Sequence, residues 1–388
     1  MKIARRICVL LSVLCVPLLL LSSTTKKPKA AAKTQYLAYV GTYTTKTNSK
    51  GIYAYRYDAA TGNFSSLGVA AESADPSFVA VPPNGKFLYA VNEAGKNSMV
   101  SAFALEPKTG KLTLLNQLPA LGEDPCYISF DKTGKYVLVA NYSSGSMPVF
   151  PILPDGRLGE HTALIQHGGS LGPNKERQDG PHAHWIETSR DNRFALAADL
   201  GLDEVLVYKF NAAKGTLAPN TPPFTKLHPG SGPRHIAFRP DGKFLYVVSE
   251  LSSTVSAFCY DARAGTLREL QTVTTLPKEF SGRNDTAEIA VHSNGRFLYA
   301  SNRGHDSITV FAIDHAKGTL TFVSRVPTGG KEPRHFAFDP SGNYLFAENQ
   351  LSNNIVVFKI DIATGGLNPT GQVIDVPSPV DLTFVAAE

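Results

Sequence analysis

One strand-rich unit recurs along the chain, and its period constrains the fold more than any other feature. It reads PSFVAVPPNGKFLYAVN at 76–92, PCYISFDKTGKYVLVAN at 125–141 and PHAHWIETSRDNRFALAAD at 181–199. It returns as PRHIAFRPDGKFLYVVSE at 233–250, TAEIAVHSNGRFLYASN at 286–302 and PRHFAFDPSGNYLFAEN at 333–349. The starts are 49, 56, 52, 53 and 47 residues apart, and a truncated copy, PVDLTFV, begins 46 residues later at Pro379. A fixed period in this range means a solenoid, a propeller or an array, not an ordinary two-layer domain.

Each unit has the same grammar. A short alternating apolar strand meets a turn, usually Gly followed by Lys, Arg or Asn. A dense apolar strand such as FLYVV follows, then a polar loop and a third strand such as STVSAFCYD or NNIVVFKID. A turn of the form ATG, KTG or AKG leads to a last strand that begins with Leu. Period-2 patterning between turn residues predicts four strands per unit, and no segment carries a long helical period. Four antiparallel strands repeated near every 50 residues predict an all-β, seven-bladed β-propeller. The C-terminal unit stops after one strand. Residues 35–41 resemble a second strand and 51–57 a third, so the last blade is expected to be shared between the termini, which removes open sheet edges.

The first 25 residues are different. Lys2, Arg5 and Arg6 precede an apolar run from Ile7 to Leu21, and a polar stretch follows. That order matches a secretory signal peptide; the run is shorter than the roughly 20 residues of a membrane-spanning helix. The expected organisation is a signal peptide over 1–25, a linker over 26–34 and the propeller over 35–388, with export to the periplasm or medium. Removing Lys2, Arg5 and Arg6 lowers the formal net charge from +5 to +2, so the basic balance gives no argument for nucleic-acid binding. Cleavage would leave Cys126 and Cys259, in different repeats, which predicts no disulfide framework and no Cys-x-x-Cys metal or redox site. A closed ring has no need of a partner, and a monomer is expected.

In a propeller the loops entering the first strand share a rim with the loops between the second and third strands. The opening positions supply His182, His184, Arg234, His235, Arg334 and His335. The second-strand ends supply Asn92, Asn141, Asp199, Glu250, Asn302, Arg303, His305, Glu348 and Asn349. Asn and Asp at such places often satisfy loop backbones; Arg234, Glu250 and Arg303 are not explained that way. His182 and His184, two apart on an alternating strand, are expected to point the same way, but without a third ligand they predict no metal. His235 and His335 follow their arginines and are expected to face away from them. The Gly- and charge-rich loop at 167–181 is expected to cover this rim, with Arg177, Gln178 and Asp179 near the site. Within it, Gly168-Gly-Ser170-Leu-Gly172 fits the nucleophile-elbow spacing but lacks the strand-to-helix turn which that motif needs.

Arginines, a carboxylate and imidazoles on one rim suit an anionic, oxygen-rich small molecule. They also suit water attack on an ester, with arginine on the oxyanion and Glu or His moving the proton. The stretches GPNKERQDGPHAHW (172–185), GPRHIAFRPDGKFLYVVSE (232–250), SNRGHDSI (301–308) and GKEPRHFAFDPSGNYLFAENQ (330–350) resemble the lactonase-type seven-bladed propellers. These are 6-phosphogluconolactonase-like proteins related to the fungal carboxymuconate lactonising enzyme. The resemblance spans roughly 35–385 and implies hydrolysis of a sugar lactone without a cofactor. It implies catalytic roles for His182, Arg234, Glu250 and Arg303. Gln178, His184, Asp199, His305, Arg334 and Asn349 are the candidate substrate-binding residues. The alternatives are a muconate-type lactonising isomerase and a non-catalytic exported binding or scaffold propeller.

Overall fold

A computed structural model describes residues 34–387. The expected signal peptide over 1–25 and nearly all of the linker lie outside the described residues. Seven four-stranded antiparallel sheets follow one another around a ring. In blades 1 to 6 the strands of each sheet are consecutive in sequence, and their innermost strands begin at Phe78, Pro125, Ala183, Pro233, Asp285 and Pro333. The seventh blade joins the two ends of the described chain. Its innermost strand, Pro379–Ala386, pairs antiparallel with Gln35–Thr42, which pairs in turn with Gly51–Asp58. Neighbouring blades enclose the apolar clusters, so the core is distributed around the ring.

The turn chemistry explains why the blades repeat so regularly. Between the first two strands of blade 2, the Asp131 carboxylate accepts from the amides of Thr133, Lys135 and Tyr136. Asp339 does the same in blade 6 with Ser341, Asn343 and Tyr344. The glycine of each ATG-type turn does a second job. Gly215, Gly265, Gly318 and Gly365 have φ between 64° and 79°, a left-handed conformation that favours glycine. A Cβ there would meet Tyr136, Phe194, Phe244 and Phe297 at 2.1–2.6 Å. Each of those rings opens the second strand of the preceding blade. The turn glycine therefore seats one blade's aromatic under the next blade's outer edge.

Candidate active site

The axial residues are aimed by a recurring irregularity. Six innermost strands break register against their second strands near the rim: between Pro125 and Tyr127, Ala183 and Trp185, Pro233 and His235, Thr286 and Ile289, Pro333 and His335, and Pro379 and Asp381. A bulge suspends strict alternation, so consecutive side chains can both reach the axis. The expected separation of His235 from its arginine is accordingly wrong. His235 Nε2 lies 3.4 Å from Arg234 Nη1. His335 also faces inward, toward carboxylates of blades 5, 6 and 7.

At the rim, three guanidinium groups converge on Glu250. Arg303 Nη2 lies 2.9 Å from its Oε2. Arg234 Nε lies 3.0 Å from the same oxygen, an ion pair whose N–H is not aligned on the carboxylate. Arg177 Nη2 donates to Oε1. Arg234 and Arg303 are also fixed by blade 5: Arg234 Nη1 donates to the carbonyl of Ala287 at 2.8 Å, and Arg303 Nε to that of Asp285 at 3.2 Å. Burial would raise the Glu250 carboxyl, but Arg303, Arg234 and Arg177 outweigh it and hold it down to about 2. Burial pushes Arg234 down to about 10, and the neighbouring Arg303 and Arg334 push the same way, against Glu250. Arg177 comes from the long loop. It also reaches Asp285 at 3.5 Å and the Tyr142 hydroxyl at 3.4 Å. Its side chain is 31% exposed, against 3% for Arg234 and 11% for Arg303, so it is the member of the trio that solvent meets first.

His182 and His184 both meet Tyr142. The His182 ring stacks on it at 4.5 Å, and the His184 ring meets its edge at 5.4 Å. His182 Nδ1 is 3.0 Å from the carbonyl of Tyr142, and Nε2 is 2.9 Å from Asp179 Oδ1. Both partners are acceptors, so both bonds form together only when both ring nitrogens carry hydrogen. His184 is different. Nδ1 faces the Cys126 sulfur at 3.5 Å, and Nε2 has no hydrogen bond among the described residues. Burial, with the guanidinium charges of Arg234 and Arg334, pushes the imidazole well below its ordinary value and favours its neutral form.

The remaining candidates divide into two groups. Arg334 stays with the cluster: its guanidinium lies over the Tyr43 ring at 5.3 Å, and the Tyr43 hydroxyl donates to Glu93 at 2.7 Å. The others brace loops. Asp199 Oδ1 accepts from the amides of His182 and Leu202, while Oδ2 lies 2.6 Å from His167 Nδ1. Gln178 donates to Leu200 O and Asp203 and accepts from the Asn174 amide. His305 Nδ1 pairs with Ser307, and Asn349 donates to Thr328 O and Asn354.

A second ionisable cluster lies along the axis. Glu288 Oε2 pairs with His235 Nδ1 at 2.9 Å and with His335 Nε2 at 3.5 Å. His335 also meets Glu348 at 2.8 Å and Asp381 at 3.3 Å. Burial opposes the charge on His335, yet Asp381, Glu288 and Glu348 raise it to about 9. Burial raises Glu348 to about 7 and Asp381 to about 6. Among the described residues no group of three or more His, Cys, Asp or Glu is arranged to hold a metal ion. Tyr43, Glu93, Tyr142 and Glu288 were not among the sequence candidates. Tyr142 directly follows a second-strand end, and Glu288 belongs to a blade opening that lacks the Pro-Arg-His signature.

The fold is a seven-bladed propeller that gathers arginines around one carboxylate at its axial rim. The match to the family of seven-bladed β-propeller lactonases spans residues 37–384, and the chain belongs to that family. The 6-phosphogluconolactonase of Bacillus subtilis is 40% identical over 301 residues, covering 78% of this chain and 84% of its own. The 6-phosphogluconolactonase of Formosa agariphila is 35% identical, with 76% and 84% covered. The solved periplasmic gluconolactonase of Pseudomonas aeruginosa superposes with a TM-score of 0.86 at 36% identity, covering 91% of this chain and all of that one.

Proposed function

We propose that this protein hydrolyses the ring ester of a sugar lactone at the Glu250 rim. The observation that carries the reading is the surplus of guanidinium around one buried, ionised carboxylate: three arginines face Glu250. Such a cluster is preorganised for the negative charge that develops on the carbonyl oxygen when water attacks. Both Glu250 oxygens are occupied by arginines, so its part is to hold them in place. His184, neutral and with a free Nε2, takes the proton from the attacking water. His182, whose Nε2 lies beside Asp179, supplies a proton to the ring oxygen as the C–O bond breaks. The names of the relatives support the same chemistry. Residues 1–25 would export the enzyme, and the N-terminal residue of secreted protein tests that.

The test is a lactone panel, phosphorylated and unphosphorylated, with ring opening followed above the spontaneous rate. Saturable turnover of an aldonolactone is expected. Interconversion of a muconate and its lactone would replace this reading with an isomerase. Absence of turnover with retained ligand binding would replace it with a binding protein.

A further inference from the structure

Beside the arginine cluster, on the same rim, is a cavity of about 1180 Å³. It meets the site on two sides. On one side its wall includes Tyr43, whose ring carries the Arg334 guanidinium, and Glu93, which accepts from the Tyr43 hydroxyl. On the other, its wall includes Asp124, which accepts from Ser143 Oγ and whose carbonyl takes the amide of Tyr142. Tyr142 is the ring on which His182 stacks.

The wall has a definite chemistry. Asp75, Glu93, Asp124 and Asp375 line it, and Lys46 is its one cationic side chain. A phosphate held here would face four carboxylates and one ammonium, with no guanidinium fork to receive it. Neutral hydroxyl groups suit the same wall, because carboxylate and amide oxygens accept from them. Asn48 and Gln350 also line the cavity, and their side chains make no hydrogen bond among the described residues. The volume exceeds the range of about 300–1,000 Å³ typical of whole small-molecule sites, and the cavity lies outside the ring of groups that would hold the reacting ester.

We propose that this cavity is a subsite for an uncharged glycosyl substituent, so that the preferred substrate is a glycosylated, unphosphorylated aldonolactone. The inference rests on the lactonase reading and deepens it. The reacting ester sits against Arg234 and Arg303, and the sugar unit extends past Tyr43 and Glu93 into the acidic cavity.

The experiment compares kcat/KM of the full protein for glucono-δ-lactone, its 6-phosphate and a 4-O-glucosyl gluconolactone. The glycosylated lactone is expected to exceed the phosphate by about 10-fold or more, equivalent to one 1.4 kcal/mol step of discrimination. Gln350→Trp and Asn48→Trp, which fill the cavity from two different loops, are each expected to lower the glycosylated rate by about 5- to 10-fold. Neither should change turnover of the single-ring lactone. Asp375→Lys is expected to raise kcat/KM for the 6-phosphate by roughly 3-fold, an effect that salt removes. Equal rates on the single-ring and glycosylated lactones, or no selective loss in either Trp variant, would overturn the subsite while leaving the lactonase reading intact. No turnover of any of the three would overturn both.

Discussion

The two ionisable clusters on the propeller axis are built from the same sequence element and have opposite character. In blades 4 and 6 the opening is Pro-Arg-His. The arginine goes to the rim, where Arg234 joins Arg177 and Arg303 around the single carboxylate of Glu250. The histidine goes to the other cluster, where His235 and His335 share Glu288, Glu348 and Asp381. One cluster has surplus cation and the other surplus carboxylate. The lesson is that a bulge, by releasing two adjacent residues toward one axis, lets a dipeptide polarise the channel.

Removing the rim carboxylate breaks that contrast most severely. Glu250→Ala leaves three arginines facing one another, with Arg234 buried. It is expected to cost about 3–5 kcal/mol in stability, the range for breaking a buried pair, measured by urea unfolding. Activity per folded molecule should fall by about 10²-fold or more. Next in size, Glu288→Gln acts on the other cluster alone. It should lower stability by a few kcal/mol and leave kcat/KM per folded molecule within about 2-fold, because Glu288 does not touch the rim trio. A loss of catalysis equal to that of the rim variant would show that the clusters act as one unit.

The pH dependence of stability separates them again. Glu250 and Glu288 are both held down to about 2 in the fold. Their contribution is present above the ordinary carboxyl range and is lost as pH falls toward 2. His335 is raised to about 9, so its contribution is present below about 6.5 and is lost as pH rises through 9. Glu348 and Asp381, raised to about 7 and 6, likewise lose stability with rising pH, from the ordinary carboxyl range up to those values. Thermal unfolding midpoints should therefore decline from pH 6.5 to 9, by the equivalent of about 1–3 kcal/mol. His335→Gln should flatten that limb and leave the acid limb in place. The smallest effect is expected at Tyr142→Phe, which removes the hydroxyl that Arg177 touches but keeps the ring under His182. A loss of about 2- to 5-fold in kcat/KM is expected, with stability changed by less than about 1 kcal/mol.

Much of the fold was legible because it rests on local signals that recur. The Asp and Gly turns and the dense second strands are carried by contiguous residues, and the split seventh blade follows from the repeat's missing strands at one end and matching strands at the other. The site was legible only in part. Arg234, Glu250 and Arg303 stood out because arginine and glutamate are poor turn residues at those places. Arg177 was placed near the site by its loop, but its bond to Glu250 crosses 73 residues of chain, and no local pattern encodes that pairing. His235 was assigned the wrong direction because period-2 alternation was applied across a bulge. Asp199 and Gln178 look like ligand-binding residues in sequence, yet both polar ends of each are spent on loop backbones and neighbouring side chains.

The central claim is that the Glu250-anchored arginines open a lactone ring. The most direct measurement is the enzyme-dependent rate of ring opening for the best lactone of the panel, in wild type and in Arg234→Ala matched for folded protein by circular dichroism. The account predicts saturable wild-type turnover and a fall of about 10²–10³-fold in kcat/KM for the variant, the usual cost of one lost oxyanion donor. An Arg234→Ala protein that folds and turns over at the wild-type rate would contradict it.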